Sequence, residues 1–148
     1  MKVRVSIILG MILSFWSGVV YATTFTVTNN LNEGAGSLRW AVEQSNAEEG
    51  NSKIVFDLAA PSDTITLTEL ITVSSSVELD GTIAGGKVTI QGPEIETLIH
   101  CVGVPTGGNF SLTSVNFGKW KSSTTTENNI AVMLDQIKEG GSANFSMN

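Results

Sequence analysis

Apolar and polar positions alternate in short runs along most of this chain. Residues 24–29 set Phe25 and Val27 against Thr24, Thr26 and Thr28, which predicts a first strand. Asn29-Asn30 and Glu33-Gly34-Ala35-Gly36 break it. Ser37 is a suitable N-cap for a short helix reaching about Asn46. At 100° per residue, Leu38, Ala41, Val42 and Ser45 share one small face of that helix, and Arg39 and Glu43 form an i,i+4 pair elsewhere. From Lys53 on the runs become strand-like: Ile54-Val55-Phe56, Ile65-Thr66-Leu67, Ile71-Thr72-Val73, Val77-Glu78-Leu79, Val88-Thr89-Ile90, Leu98-Ile99-His100-Cys101-Val102, Phe110-Ser111-Leu112 and Val115-Asn116-Phe117. Turn residues separate them, among them Pro61-Ser62-Asp63, Asp80-Gly81, Gly85-Gly86 and Gly92-Pro93. The pattern is all-β.

An antiparallel sandwich and a parallel solenoid both satisfy such a pattern, and the spacing favours the solenoid. Val55, Val77 and Leu98 form one evenly spaced series, and Ile65, Val88 and Phe110 form a second, interleaved with the first. Both series keep nearly the same period, close to that of a coil in a solenoid. A shared period suits stacked coils whose equivalent strands lie about 4.8 Å apart. Gly108-Asn109-Phe110-Ser111-Leu112 is echoed by Ala143-Asn144-Phe145-Ser146-Met147, and residues 98–102 by residues 131–134. The echo from Phe110 to Phe145 is longer than one coil, and the excess fits a polar side loop at about residues 118–129. The expected organisation is a strand and capping helix over residues 23–52, then β-helix coils over residues 53–148. Asn148 falls inside an expected strand, which predicts a stack incomplete at its C-terminal end, the N-terminal piece of a longer protein or a truncated gene product, with capping by a partner as the alternative.

The segment Met1–Ala22 follows a different pattern. Lys2 and Arg4 precede an apolar run from Val5 to Val20, and Val20-Tyr21-Ala22 supplies small residues at the positions a signal peptidase reads. The run is shorter than the roughly 20 residues of a spanning helix. This reads as a secretory leader (residues 1–22) cleaved after Ala22, with no membrane span in the product. The 148-residue chain has 8 basic and 14 acidic residues. Loss of Lys2 and Arg4 leaves 6 against 14, a net charge of −8, which argues against nucleic acid as a partner. One cysteine excludes a disulfide framework and a Cys-rich metal site. After Ala22 the chain is rich in Ser, Thr, Gly and Asn, a composition suited to strands and turns.

Candidate chemistry is sparse. Asp63 and Asp80 sit in ordinary turns, while Asp57 and Glu78, one period apart, are placed on neighbouring coils, a candidate weak cation site against the plainer reading of two solvated surface charges. His100 and Cys101 are strand neighbours pointing to opposite faces, so one belongs to the core and the other outside. Asn109 and Asn116 are candidates for side-chain ladders between coils. The aromatics Trp40, off the helix's apolar face, and Trp120, between Lys119 and Lys121, are candidate interaction residues for sugars or proteins, with packing on the coil wall as the other reading. No glycine-rich phosphate loop follows a strand and opens a helix. No catalytic residue, cofactor site or metal site is assigned.

Several segments resemble the N-terminal region of bacterial secreted β-helix proteins, the autotransporter-type and polymorphic outer-membrane passengers and proteins bearing a C-S-L-R-E-A signature. They are Phe25-Thr26-Val27-Thr28-Asn29, Gly34-Ala35-Gly36-Ser37-Leu38-Arg39-Trp40-Ala41-Val42, Asn46-Ala47, Lys53-Ile54-Val55-Phe56-Asp57-Leu58 and Val77-Glu78-Leu79-Asp80-Gly81. The chain departs from the signature with Gly36 for its Cys and Trp40 for its Glu. The resemblance implies a right-handed parallel β-helix under a short capping helix, exported and displayed at the cell surface or released. It implies no defined chemistry. The expected function is that of a non-catalytic surface or secreted adhesion or interaction protein, or its N-terminal fragment, meeting glycans or proteins. The rival is a β-helix polysaccharide lyase or hydrolase with its active residues beyond Asn148.

Overall fold

A computed structural model describes residues 22–48, 50–102, 104–121, 131–135 and 142–146. The chain forms a parallel β-helix of about four turns with one short helix at its start. In order come β1 (Thr23–Val27), α1 (Leu38–Ala47), β2 (Asn51–Phe56), β3 (Thr64–Thr66), β4 (Ile71–Val73), β5 (Ser76–Asp80), β6 (Thr82–Ile83), β7 (Gly86–Gly92), β8 (Ile99–Val102), β9 (Asn109–Thr113), β10 (Val115–Trp120), β11 (Val132–Asp135) and β12 (Ser142–Ser146). The strands fall into three parallel sheets that repeat from coil to coil. The first sheet runs β1-β2-β5-β9-β12, the second β3-β7-β10 and the third β4-β8-β11. Among the described residues only β6 breaks the rule, pairing antiparallel with β7 in a small hairpin.

Inward side chains stack on their own kind. In the first sheet Ile54, Leu79 and Leu112 lie in register, as do Ile65 and Ile90 in the second and Ile71 and Ile99 in the third. All seven are at most 2% exposed, so the hollow of the stack is a closed apolar core. Burying each such side chain contributes about 1.5–3 kcal/mol. The β9–β10 corner is a single residue, Ser114, held at φ 54. Its carbonyl leaves no room on the adjoining coil: a Cβ on Gly81 would collide with the Ser114 oxygen and with Val88 and Val115, which accounts for glycine there.

The repeat is longer and less regular than the sequence spacing suggests. Asn51 pairs with Ser76 between β2 and β5, and Val77 with Phe110 between β5 and β9, a clearly longer step. The second sheet pairs Thr64 with Thr89 and Val88 with Val115, and the third pairs Ile71 with Ile99 and Ile99 with Val132. Every one of these steps exceeds the period read from the sequence. Stacking fixes only strand superposition, and the connecting turns absorb the difference. Leu98 accordingly adjoins the third sheet rather than following Val77, and Phe110 follows Val77 rather than Val88. The tail echo is real but shifted: Phe110 opposes Ala143, and Phe145 opposes Leu112. The first coil opens at Asn51, and β10 extends to Trp120, which shortens the expected side loop at its start. Residues 122–130, which hold most of that loop, and residues 1–21 of the expected leader lie outside the described residues.

The helical lid follows the expectation closely. Ser37 Oγ accepts a hydrogen bond from the Trp40 N–H at 3.2 Å, and Leu38, Ala41, Val42 and Ser45 are the buried face. Ser45 meets Ser75 by a buried hydroxyl–hydroxyl bond of 2.8 Å. The expected Arg39–Glu43 pair gives way to other bonds: the Arg39 guanidinium donates to the carbonyls of Asn32, Glu69 and Leu70. Asn30 donates to Thr64 O, Asn32 accepts from Thr68 N, and Asn46 both donates to Thr72 O and accepts from Ser74 N. While β1 pairs the lower edge of the first sheet, these four side chains satisfy backbone groups along the lower edges of the other two. Sheet edges left bare invite pairing with other chains.

Candidate interaction surface

The outer wall of the first sheet is the most organised polar surface among the described residues. Strand alternation turns Asn51, Lys53 and Val55 outward on β2, Ser76, Glu78 and Asp80 on β5, Asn109, Ser111 and Thr113 on β9, and Ser142 and Asn144 on β12. A ladder crosses the coils near the strand starts. Ser76 Oγ lies 2.5 Å from Asn51 Oδ1 and accepts from the Asn109 N–H at 2.8 Å. Asn109 Oδ1 in turn accepts from Ser142 Oγ at 2.9 Å and Asn144 Nδ2 at 3.4 Å. Asn109 is thus a ladder residue as its sequence position suggests, while Asn116 stands exposed in register with Thr89.

Beside the ladder, Lys53 Nζ sits 2.8 Å from Glu78 Oε1 and 3.4 Å from Asp80 Oδ2. Its ammonium is held above the usual lysine range, first by the hydrogen bond to Glu78. Asp80 is held below the usual carboxylate range, chiefly by the Thr82 hydroxyl at 2.7 Å, with the Thr82 N–H and Lys53 assisting. Both shifts lock the charged forms. A base for elimination needs a lysine pushed down and a general acid needs a carboxyl pushed up, so Lys53 and Asp80 have the opposite tuning. Because the Asp80 value is depressed, its contribution to stability is present above the unfolded carboxylate range, near pH 4, and is lost as pH falls below it. Asp80→Asn is expected to cost at most about 1 kcal/mol at neutral pH, as exposed pairs do. Melting curves of the two proteins should converge below about pH 4, and a gap that widens in acid would refute this assignment.

The remaining candidates are placed apart. Asp57 follows β2 with its N–H on Val27 O, four positions past Lys53, whereas Glu78 stands opposite Lys53. The expected Asp57–Glu78 cation site is therefore not assembled, because the step between these coils is longer than the sequence period. Among the described residues no group of three or more His, Cys, Asp or Glu side chains is arranged to hold a metal ion. His100 faces outward in register with Thr72 and Met133; its Nε2 lies 3.7 Å from Asp135 Oδ2 without a hydrogen-bond partner. Cys101 faces the core at 1% exposure, and burial pushes its thiol up to about 11. Imidazole and thiol lie on opposite faces, so they form no dyad. Cys101 is expected to resist alkylation at pH 8 in the folded chain and to react fully once denatured. Equal rates in both states would show the core to be open.

Trp40 is half-buried and packs edge-to-face on Phe25, with ring centroids 6.3 Å apart and planes at 88°. It thereby serves the seam between lid and first strand. Trp120 ends β10, its backbone in register with Gly92. No helix among the described residues is long and apolar enough to cross a membrane. Neither a family model, nor a curated protein, nor a solved structure matches the chain.

Proposed function

We propose that this chain is an exported, non-catalytic β-helix protein, secreted or displayed at the cell surface, whose outer walls and side loops engage molecules outside the cell. The observation that carries the reading is the junction at Ala22. The residue before the expected cleavage point is exposed, and β1 begins immediately after it at Thr23. The first strand thus starts where a leader would be removed. The ion pairs of Lys53 with Glu78 and Asp80 on the first sheet, which hold Lys53 and Asp80 in their charged forms, support a binding wall rather than an acid–base centre.

The test is expression of the full chain in a bacterium with a double membrane, followed by fractionation and N-terminal sequencing. Product beginning at Thr23 outside the cytoplasm is expected; an uncleaved cytoplasmic product would overturn export. Incubation of the purified protein with polygalacturonate should leave viscosity unchanged. A fall in viscosity, or release of unsaturated sugars, would overturn the non-catalytic reading.

A further inference from the structure

We infer that the groove along the strand starts of the first sheet binds a neutral, linear polysaccharide laid parallel to the axis of the solenoid. The inference rests on the interaction-protein reading above and names the ligand class. One stretch of the groove is lined by Ala22, Asn51, Lys53, Ser76, Glu78 and Asn109 and has a volume of about 240 Å³. It continues past Asn51 and Ser76 to the turn holding Pro105, Gly107 and Gly108. Pockets that enclose small molecules run from about 300 to 1,000 Å³, so this one is too small to surround a ligand and suits a polymer crossing it.

Its floor is a set of rungs. Asn51, the buried Ser76 and Asn109 occupy successive strands of one sheet, about 4.8 Å from one to the next, and Ser142 follows in register beyond the lined stretch. A pyranose chain joined through opposite ring positions advances by nearly that distance per sugar, so its rings would keep step with the strands and every second ring would meet an asparagine. Asn51 and Asn109, at alternate rungs, carry the groups suited to sugar hydroxyls, while the Ser76 hydroxyl between them is spent on these two neighbours. With Asn51 Oδ1 engaged by Ser76, and Asn109 Oδ1 by Ser142 and Asn144, both amide NH₂ groups are left as donors. Charge selects among glycans. Lys53 is already neutralised by Glu78 and Asp80, and the chain after Ala22 is strongly acidic, so a uronate polymer would be repelled. A protein partner is disfavoured because interface cores need large apolar anchors. The exposed large hydrophobics among the described residues, Leu31, Leu70, Met133 and Leu134, do not line the groove.

The experiment is calorimetric titration of the purified chain with β-1,4-linked glucose, N-acetylglucosamine and mannose oligomers of two to six units, with oligogalacturonate in parallel. At least one neutral series should bind more tightly with each added sugar up to about four units, the span from Asn51 to Ser142, and level off. Asn51→Ala should weaken that series about fivefold through one lost donor. Asn51→Trp, at an exposed position, should abolish it by filling the groove with melting temperature retained, and Thr72→Ala on the third sheet should change nothing. Absence of saturable binding in all three neutral series, equal affinity for dimer and hexamer, or preference for oligogalacturonate would overturn the inference. So would full binding by a folded Asn51→Trp protein. None of these outcomes alters the N-terminal sequence or compartment of the exported product, so the export reading stands or falls separately.

Discussion

Leu38→Asp is expected to destabilise the folded chain by about 4 kcal/mol or more and to drive it into aggregates. Leu38 is the first residue of α1 and is fully buried beneath the coils. Two effects oppose each other at this position. A carboxylate in the first helical turn gains roughly 0.3–1 kcal/mol from the helix dipole. Against this stand about 2–3 kcal/mol of lost apolar burial and the desolvation of an unpaired carboxyl, worth several kcal/mol more. Desolvation and lost burial win, and the helix must leave the core. Its departure would withdraw Arg39 and Asn46 from the carbonyls and N–H groups of residues 69–74, baring the lower edge of the third sheet. Bare parallel edges recruit other strands, so aggregation should accompany the loss of stability. Denaturant titration and size-exclusion chromatography check both parts. Leu38→Met, which conserves volume, should cost less than about 1.5 kcal/mol. A monodisperse Leu38→Asp protein with an unchanged midpoint would show that α1 is not the lid.

The lid was legible in the sequence because its determinants are local. Ser37 and the Leu38, Ala41, Val42, Ser45 face lie in one short segment, and helical periodicity alone locates them. The strand runs read from Lys53 onward are strands for the same reason. What the sequence could not convey was which strand stacks on which. With three sheets and turns of variable length, an even spacing along the chain need not follow one wall. Val77 and Leu98 keep the sequence period, yet Val77 lies in β5 of the first sheet and Leu98 adjoins the third. Val55 and Val77 keep it too, and their sheets agree but their faces do not: Val55 opposes Asp80 on the outer wall, and Val77 opposes Ser52 within. The edge-sealing roles of Asn30, Asn32 and Asn46 were hidden as well. Their partners lie on a later stretch of the chain, and an asparagine that imitates a peptide group looks in sequence like any turn former. Asn109 was legible as a ladder candidate, but its partners became visible only once the longer steps placed it beside Ser76 and Ser142.

Phe110→Ala should cost about 3–5 kcal/mol, the range for emptying a buried aromatic site. Phe110 is among the largest fully buried side chains. Its register partners are Val77 on one side and Ala143 on the other, so the ring fills space that neither neighbour can reach after truncation. Collapse of the gap is opposed by the strand ladders on both sides of β9, which fix the coil spacing at about 4.8 Å. For a domain of this size the loss corresponds to roughly 10–20 °C in melting temperature. A solenoid couples each coil chiefly to its neighbours, so the damage should be local. Hydrogen exchange is expected to speed up most in β5, β9 and β12 and least in β1 and α1, at the far end of the stack. Leu70→Ala, at a position 41% exposed on the β3–β4 corner, should change stability by less than about 0.5 kcal/mol. Uniform loss of protection from β1 to β12 would mean that the coils unfold as one unit, and a cost near that of Leu70→Ala would mean that the ring is not clamped between its neighbours.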